Sequence, residues 1–109
     1  MSKLPEMLSP EMQSRLRRIG KNLQIARKRR NKTVKQAAEM MGASLSSVRR
    51  MEVGDPAVRI ETYLAALEVY QLDDNLRFAE PEDDRIGLAL EKQRLPQRVR
   101  AKKEKHLDF

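Results

Sequence analysis

A chain of 109 residues has room for one domain with tails and not for two independent cores. With no Cys, one His and no Trp it excludes disulfides, thiolate zinc sites and imidazole metal clusters, and its four aromatic residues leave the core to aliphatic side chains and methionine. The net charge of +7 is uneven: residues 1–30 carry +7, 31–54 carry +2, 55–84 carry −7 and 85–109 carry +5.

A basic half of this kind is the electrostatic footprint of a nucleic-acid binder. No apolar run reaches bilayer length and there is no signal-peptide core, so a soluble intracellular protein without a membrane role is expected. Enzyme chemistry is disfavoured. There is no Cys nucleophile and no glycine-rich phosphate loop, and His106 sits in a charged run with nothing to orient it. No catalytic residue, metal or cofactor is expected.

Residues 1–8 lack periodicity and read as a loose arm, with one domain over 9–79 and an extension over 80–109. Ser9-Pro10-Glu11 is a helix start: a cap, a proline at the first helical position and an acid in the first turn. The helix extends to about Arg30, with Met12, Leu16, Ile19, Leu23 and Ala26 repeating at helical spacing on its inner face. Arg27 falls on that same face, where a charge needs a partner. The run Arg27 to Lys32 places cations at the helix C-terminus, where the macrodipole favours them.

Thr33 to Gly54 is the most informative stretch. Thr33 caps a second helix and Gln36 completes a capping box, while Ala37, Ala38 and Met41 form a compact inner face. Gly42 supplies the positive φ of a sharp exit, and Ser44 caps a third helix. Leu45, Val48 and Met51 fall on one side of that helix; Ser46, Ser47, Arg49 and Arg50 fall on the other. Two short helices with a polar, cationic outer face describe a helix-turn-helix fitted to a DNA major groove.

These residues resemble the phage-repressor (Cro/cI, or XRE) class, with Thr33, Ala38, Gly42, Ser44, Val48, Met51, Glu52 and Gly54 at matching motif positions. The resemblance covers roughly residues 16–72. It implies an all-α, lambda-repressor-like domain of four to five helices that binds double-stranded DNA as a homodimer on a palindromic operator. It further implies base reading by Leu45, Ser46, Arg49 and Arg50, phosphate contacts from Arg30, Lys32, Thr33, Lys35, Ser44 and Ser47, and an ion pair between Arg27 and Glu52. Two positions depart from the motif. Val34 replaces the usual phosphate-binding glutamine, and Ala37 replaces a core leucine, leaving a tighter or less filled core.

After an Asp55-Pro56 turn, a fourth helix is expected from about Ile60 to Tyr70, with Ile60, Leu64, Leu67 and Tyr70 facing in and Leu72 closing the core. The acids Glu61, Glu68, Asp73 and Asp74 mark a side turned away from DNA. Residues 75–79 alternate like a short strand or form a further helical turn; as a strand they need a partner, most simply the same segment of a second subunit through Leu76 and Phe78. Glu80 to Asp84 is a polar break. A helix from Ile86 to Arg94 follows, then Leu95-Pro96 and a basic run to Lys105.

With its ending Leu107-Asp108-Phe109, the chain resembles the HipB antitoxins, dimeric bacterial repressors encoded beside HipA-type serine/threonine kinase toxins. That resemblance implies a cytoplasmic, nucleoid-associated repressor of its own operon, with Leu107, Asp108 and Phe109 docking on the kinase or on the subunits of a split system. The other readings are a stand-alone phage-type repressor and an interaction module that no longer reads DNA.

Overall fold

The computed structural model describes residues 7–94. They form five α-helices, α1 (Pro10–Arg29), α2 (Val34–Met41), α3 (Leu45–Glu52), α4 (Ile60–Val69) and α5 (Arg85–Arg94), with 3-10 turns at Asp73–Asn75 and Pro81–Asp83. The fold is all-α, as expected. The chain divides into two compact units after Leu76.

Local chemistry sets the helix ends of the first unit. Ser9 Oγ accepts from the Met12 N–H at 3.1 Å, with Pro10 at the first helical position. At α2 the capping box is complete: Thr33 Oγ1 accepts from the Gln36 N–H at 3.0 Å while Gln36 Oε1 accepts from the Thr33 N–H at 2.9 Å. Gly42, at φ +70°, turns the chain so that the Ala43 N–H reaches back to the Ala38 carbonyl at 2.9 Å. Asn31 and Gln71 take the same left-handed conformation after α1 and α4, at φ +57° and +59°.

Leu23, Ala26, Ala37, Ala38, Val48, Met51, Ala66 and Tyr70 make the core, drawn from all four helices of this unit. α3 lies at its centre, packed against α1, α2 and α4. Four of the eight core residues are alanines, which let the helix axes approach closely, while Val48, Met51 and Tyr70 supply the bulk.

Two expected inner faces are corrected. On α1, Met12 and Ile19 are exposed, and the buried line runs through Gly20, Leu23, Ala26 and Arg27. Gly20 is the cause: a Cβ there would lie 2.8 Å from the Glu52 carbonyl oxygen and also strike that of Met51, so the bare helix surface at residue 20 is what seats α1 on the last turn of α3. On α4, Ile60 and Leu64 are exposed and Leu67 is half-buried, while Thr62, Ala66 and Tyr70 are buried. The small side chains at 62 and 66 permit close packing on α2 and α3, and the larger Ile60 and Leu64 are left on the outer side.

The expected dimer strand over residues 75–79 does not form among the described residues. Asp73–Asn75 is a 3-10 turn, Leu76 is extended, and Ala79 at φ +56° breaks any continuous strand. Leu76 and Phe78 are both exposed, Phe78 at 72%.

In the second unit, Arg77 is bonded to Asp83 at 2.8 Å across the Pro81–Asp83 turn. Asp84 caps α5, its Oδ1 accepting from the Gly87 N–H at 2.8 Å and its carbonyl from the Leu88 N–H at 2.9 Å. The polar break expected at Glu80 to Asp84 is thus also a helix start.

Candidate nucleic-acid interface

α3 is an eight-residue helix held from behind. Val48 and Met51 are fully buried, and Glu52 is buried beside them. Arg27 Nε donates to Glu52 Oε2 at 2.8 Å and its Nη2 donates to Glu52 Oε1 at 3.0 Å, a bidentate pair joining the end of α1 to the end of α3. The remaining nitrogen, Nη1, donates to the Lys32 carbonyl at 2.8 Å. The bond to Glu52 raises the Arg27 guanidinium above its usual value against the opposing effect of burial, so the buried charge is retained and satisfied.

The opposite side of α3 is open. Ser46, Arg49 and Arg50 are exposed, and Leu45, expected also on the inner side, is 37% exposed at the first helical position. Ser44 Oγ accepts from the Ser47 N–H at 3.0 Å and donates to Ser47 Oγ at 2.9 Å, which ties both hydroxyls to the helix start. Thr33 and Lys35 are exposed at the beginning of α2, and Lys32 is half-buried. Arg49 and Arg50 thus share one exposed surface with Leu45 and Ser46.

Arg30 is exposed at the end of α1 and also makes bonds within the fold. It donates from Nη1 to the Ala26 carbonyl at 2.9 Å and from Nη2 to the Tyr70 carbonyl at 2.7 Å, and lies 5.5 Å from the centroid of the Tyr70 ring. Arg30 thus clamps the end of α1 to the end of α4 while staying exposed at the helix end. Its membership in a run of cations concealed that, because only the tertiary fold brings Tyr70 alongside.

Arg59 was not singled out from the sequence, since it stands in an acidic segment. It lines a shallow cleft with Gly42, Ser44, Ser47, Glu61 and Thr62 and pairs with Glu61 at 3.4 Å. Glu61 therefore does not lie wholly away from the start of α3, as expected from charge alone; Arg59 offsets its charge there. Val34, where the motif usually has a glutamine, is half-buried against the core. Leu107, Asp108 and Phe109 lie outside the described residues, as do residues 1–6 of the arm and the Leu95-Pro96 stop.

A family model described as a helix-turn-helix domain matches residues 18–79, more than half of the chain. The chain belongs to the helix-turn-helix family. Membership points to a DNA-binding regulator, and the family is typically without catalysis. The match takes in most of α1, all of α2, α3 and α4, and the segment through Ala79. No curated protein and no solved structure matched the chain. Among the described residues no helix is long and apolar enough to cross a membrane, and no group of His, Cys, Asp or Glu is placed to hold a metal ion.

Proposed function

We propose that this helix-turn-helix protein is a sequence-specific repressor that binds a palindromic operator as a homodimer. The observation that carries the reading is α3, whose inner side is locked by Val48, Met51 and the Arg27–Glu52 pair while Arg49 and Arg50 point outward with Leu45 and Ser46. At least one of the two arginines reads a guanine through O6 and N7, a contact worth about 1–3 kcal/mol of discrimination. Leu45 meets a thymine methyl and Ser46 a base or phosphate. Thr33, Lys35, Ser44, Ser47 and Lys32 hold the backbone, which adds affinity and salt dependence without sequence information. One such domain has a small footprint, and two-fold pairing doubles it.

The test is a gel shift on the chain's own upstream region. Arg49→Ala or Arg50→Ala, whichever is the base reader, flattens the preference for operator over scrambled DNA, whereas Lys35→Ala weakens both alike. Unchanged binding in both arginine variants sinks the docking arrangement.

The finer reading is a HipB-like component of a HipA-type kinase toxin-antitoxin operon, autoregulated in the bacterial cytoplasm on the nucleoid. Its support is the sequence resemblance that ends at Leu107, Asp108 and Phe109. The second reading is a stand-alone phage-type repressor, for which the helix-turn-helix match over residues 18–79 suffices. A pull-down of neighbouring gene products by the full chain and by a Phe109→Ala variant separates them: loss of a kinase with Phe109 supports the antitoxin.

A further inference from the structure

Among the described residues, an apolar groove on α4 and an apolar stripe on α5 lie open, with flanking charges mainly of opposite sign. In the first unit Leu64, Leu67 and Leu76 line a shallow groove of about 420 Å³ whose rim carries Glu61, Glu68 and Asp73. Ile60, one turn before Leu64, extends the same exposed stripe. In the second unit, α5 exposes Ile86 at 76% and Leu90 at 57%, one turn apart, with Ala89 between them. Helical spacing sets Arg85 and Lys92 along one edge of that stripe and Arg94 along the other. The groove is apolar with an anionic rim; the helix stripe is bordered by three cations, with Glu91 beside Arg94.

We propose that α5 of one copy seats in the α4 groove of a second copy, and reciprocally. Docking places Ile86 and Leu90 on Leu64, Leu67 and Leu76, with Arg85, Lys92 and Arg94 against Glu61, Glu68 and Asp73. A two-fold operation satisfies both surfaces at once, since every copy supplies one helix and one groove. The opposite charges flanking the groove and the helix stripe steer the encounter and set its register. The exposed Arg59–Glu61 pair, at 3.4 Å, is weak enough to exchange for an intermolecular partner. This inference rests on the homodimer proposed above and specifies what builds it.

The absence of cysteine makes the test clean. Full-length Leu64→Cys and Leu90→Cys chains are mixed and mildly oxidised. The expected product is a disulfide-linked pair containing one chain of each kind, well above the linked product of either variant alone. Separately, Glu61→Lys with Glu68→Lys weakens dimerisation by about tenfold or more in sedimentation, and adding Arg85→Glu with Lys92→Glu to the same chain restores it. A wild-type chain that is monomeric at micromolar concentration overturns the dimer itself. A dimer that links only Leu64→Cys to Leu64→Cys, or a Leu64→Cys/Leu90→Cys chain that closes only on itself, overturns the docking while leaving the dimer intact.

Discussion

Arg27 and Glu52 show how a single residue can set the aim of an element. A buried, bidentate pair has small net worth relative to a well-packed apolar substitute, yet removing one partner strands the other charge in the core. Glu52→Gln is therefore expected to lower stability by up to about 3–5 kcal/mol in urea melts and to weaken operator binding with it, because the end of α3 loses its anchor. An unchanged melting temperature would contradict this. Tyr70 offers the opposite experiment. Its ring is fully buried, but its hydroxyl has no hydrogen-bond partner among the described residues. Tyr70→Phe keeps the ring under Arg30 and the carbonyl that Arg30 binds, and is expected to gain about 1 kcal/mol at neutral pH. Burial, helped by Glu52 and opposed by Arg27 and Arg30, raises the phenol above its ordinary value of 10.0. The folded chain thus holds this proton more tightly than the unfolded chain. The stability linked to it is complete below pH 10.0 and is lost as pH rises through the folded value, so Tyr70→Phe flattens the alkaline limb of a stability-pH curve. Tyr63, raised chiefly by burial, adds in the same sense.

At the scale of the element, the contact of α1 with α3 depends on an atom that is missing. An Ala for Gly exchange in an exposed helix interior stabilises by up to about 1 kcal/mol. At Gly20 the added methyl meets backbone oxygens of α3 rather than a flexible side chain, and Gly20→Ala is expected to cost about 1–3 kcal/mol in chemical denaturation. The sign of the change decides the matter. Helix ends were legible in sequence because their causes are local: Ser9, Thr33, Ser44 and Gly42 each act within four residues. Helix faces were less so. Periodicity marked Met12, Ile19, Ile60 and Leu64 as apolar at the right spacing, but two apolar stripes on one helix look alike until a neighbour chooses between them. Gly20, Thr62 and Ala66 made that choice by allowing close approach, and small residues carry little signal in an apolar pattern.

Across the whole molecule, charge sets the behaviour toward DNA. A chain that neutralises phosphates with Lys and Arg loses affinity linearly in a logarithmic plot against salt, with a slope of about −0.9 per phosphate contact. The wild-type slope is expected to be steep, and Lys35→Ala to make it shallower by about 1, read from filter binding between low and moderate salt. A slope that is flat in the wild type would leave the basic first half as a solvated surface. The acidic segment 55–84 is not simply a repelled back: Glu61 borders both the cleft with Ser44 and the apolar groove of α4.

By itself, then, the sequence determined the all-α class, the two capped helices, the turn at Gly42 and the polar cationic side of α3, since each follows from interactions within a few residues. It also marked Arg27 and Glu52 through their resemblance-based spacing. Only the tertiary structure decided which stripes of α1 and α4 are buried, that Arg30 grips Tyr70, and that Gly20 carries the contact between α1 and α3. Those outcomes depend on how closely two backbones approach, and that distance is set jointly by side chains far apart in the chain.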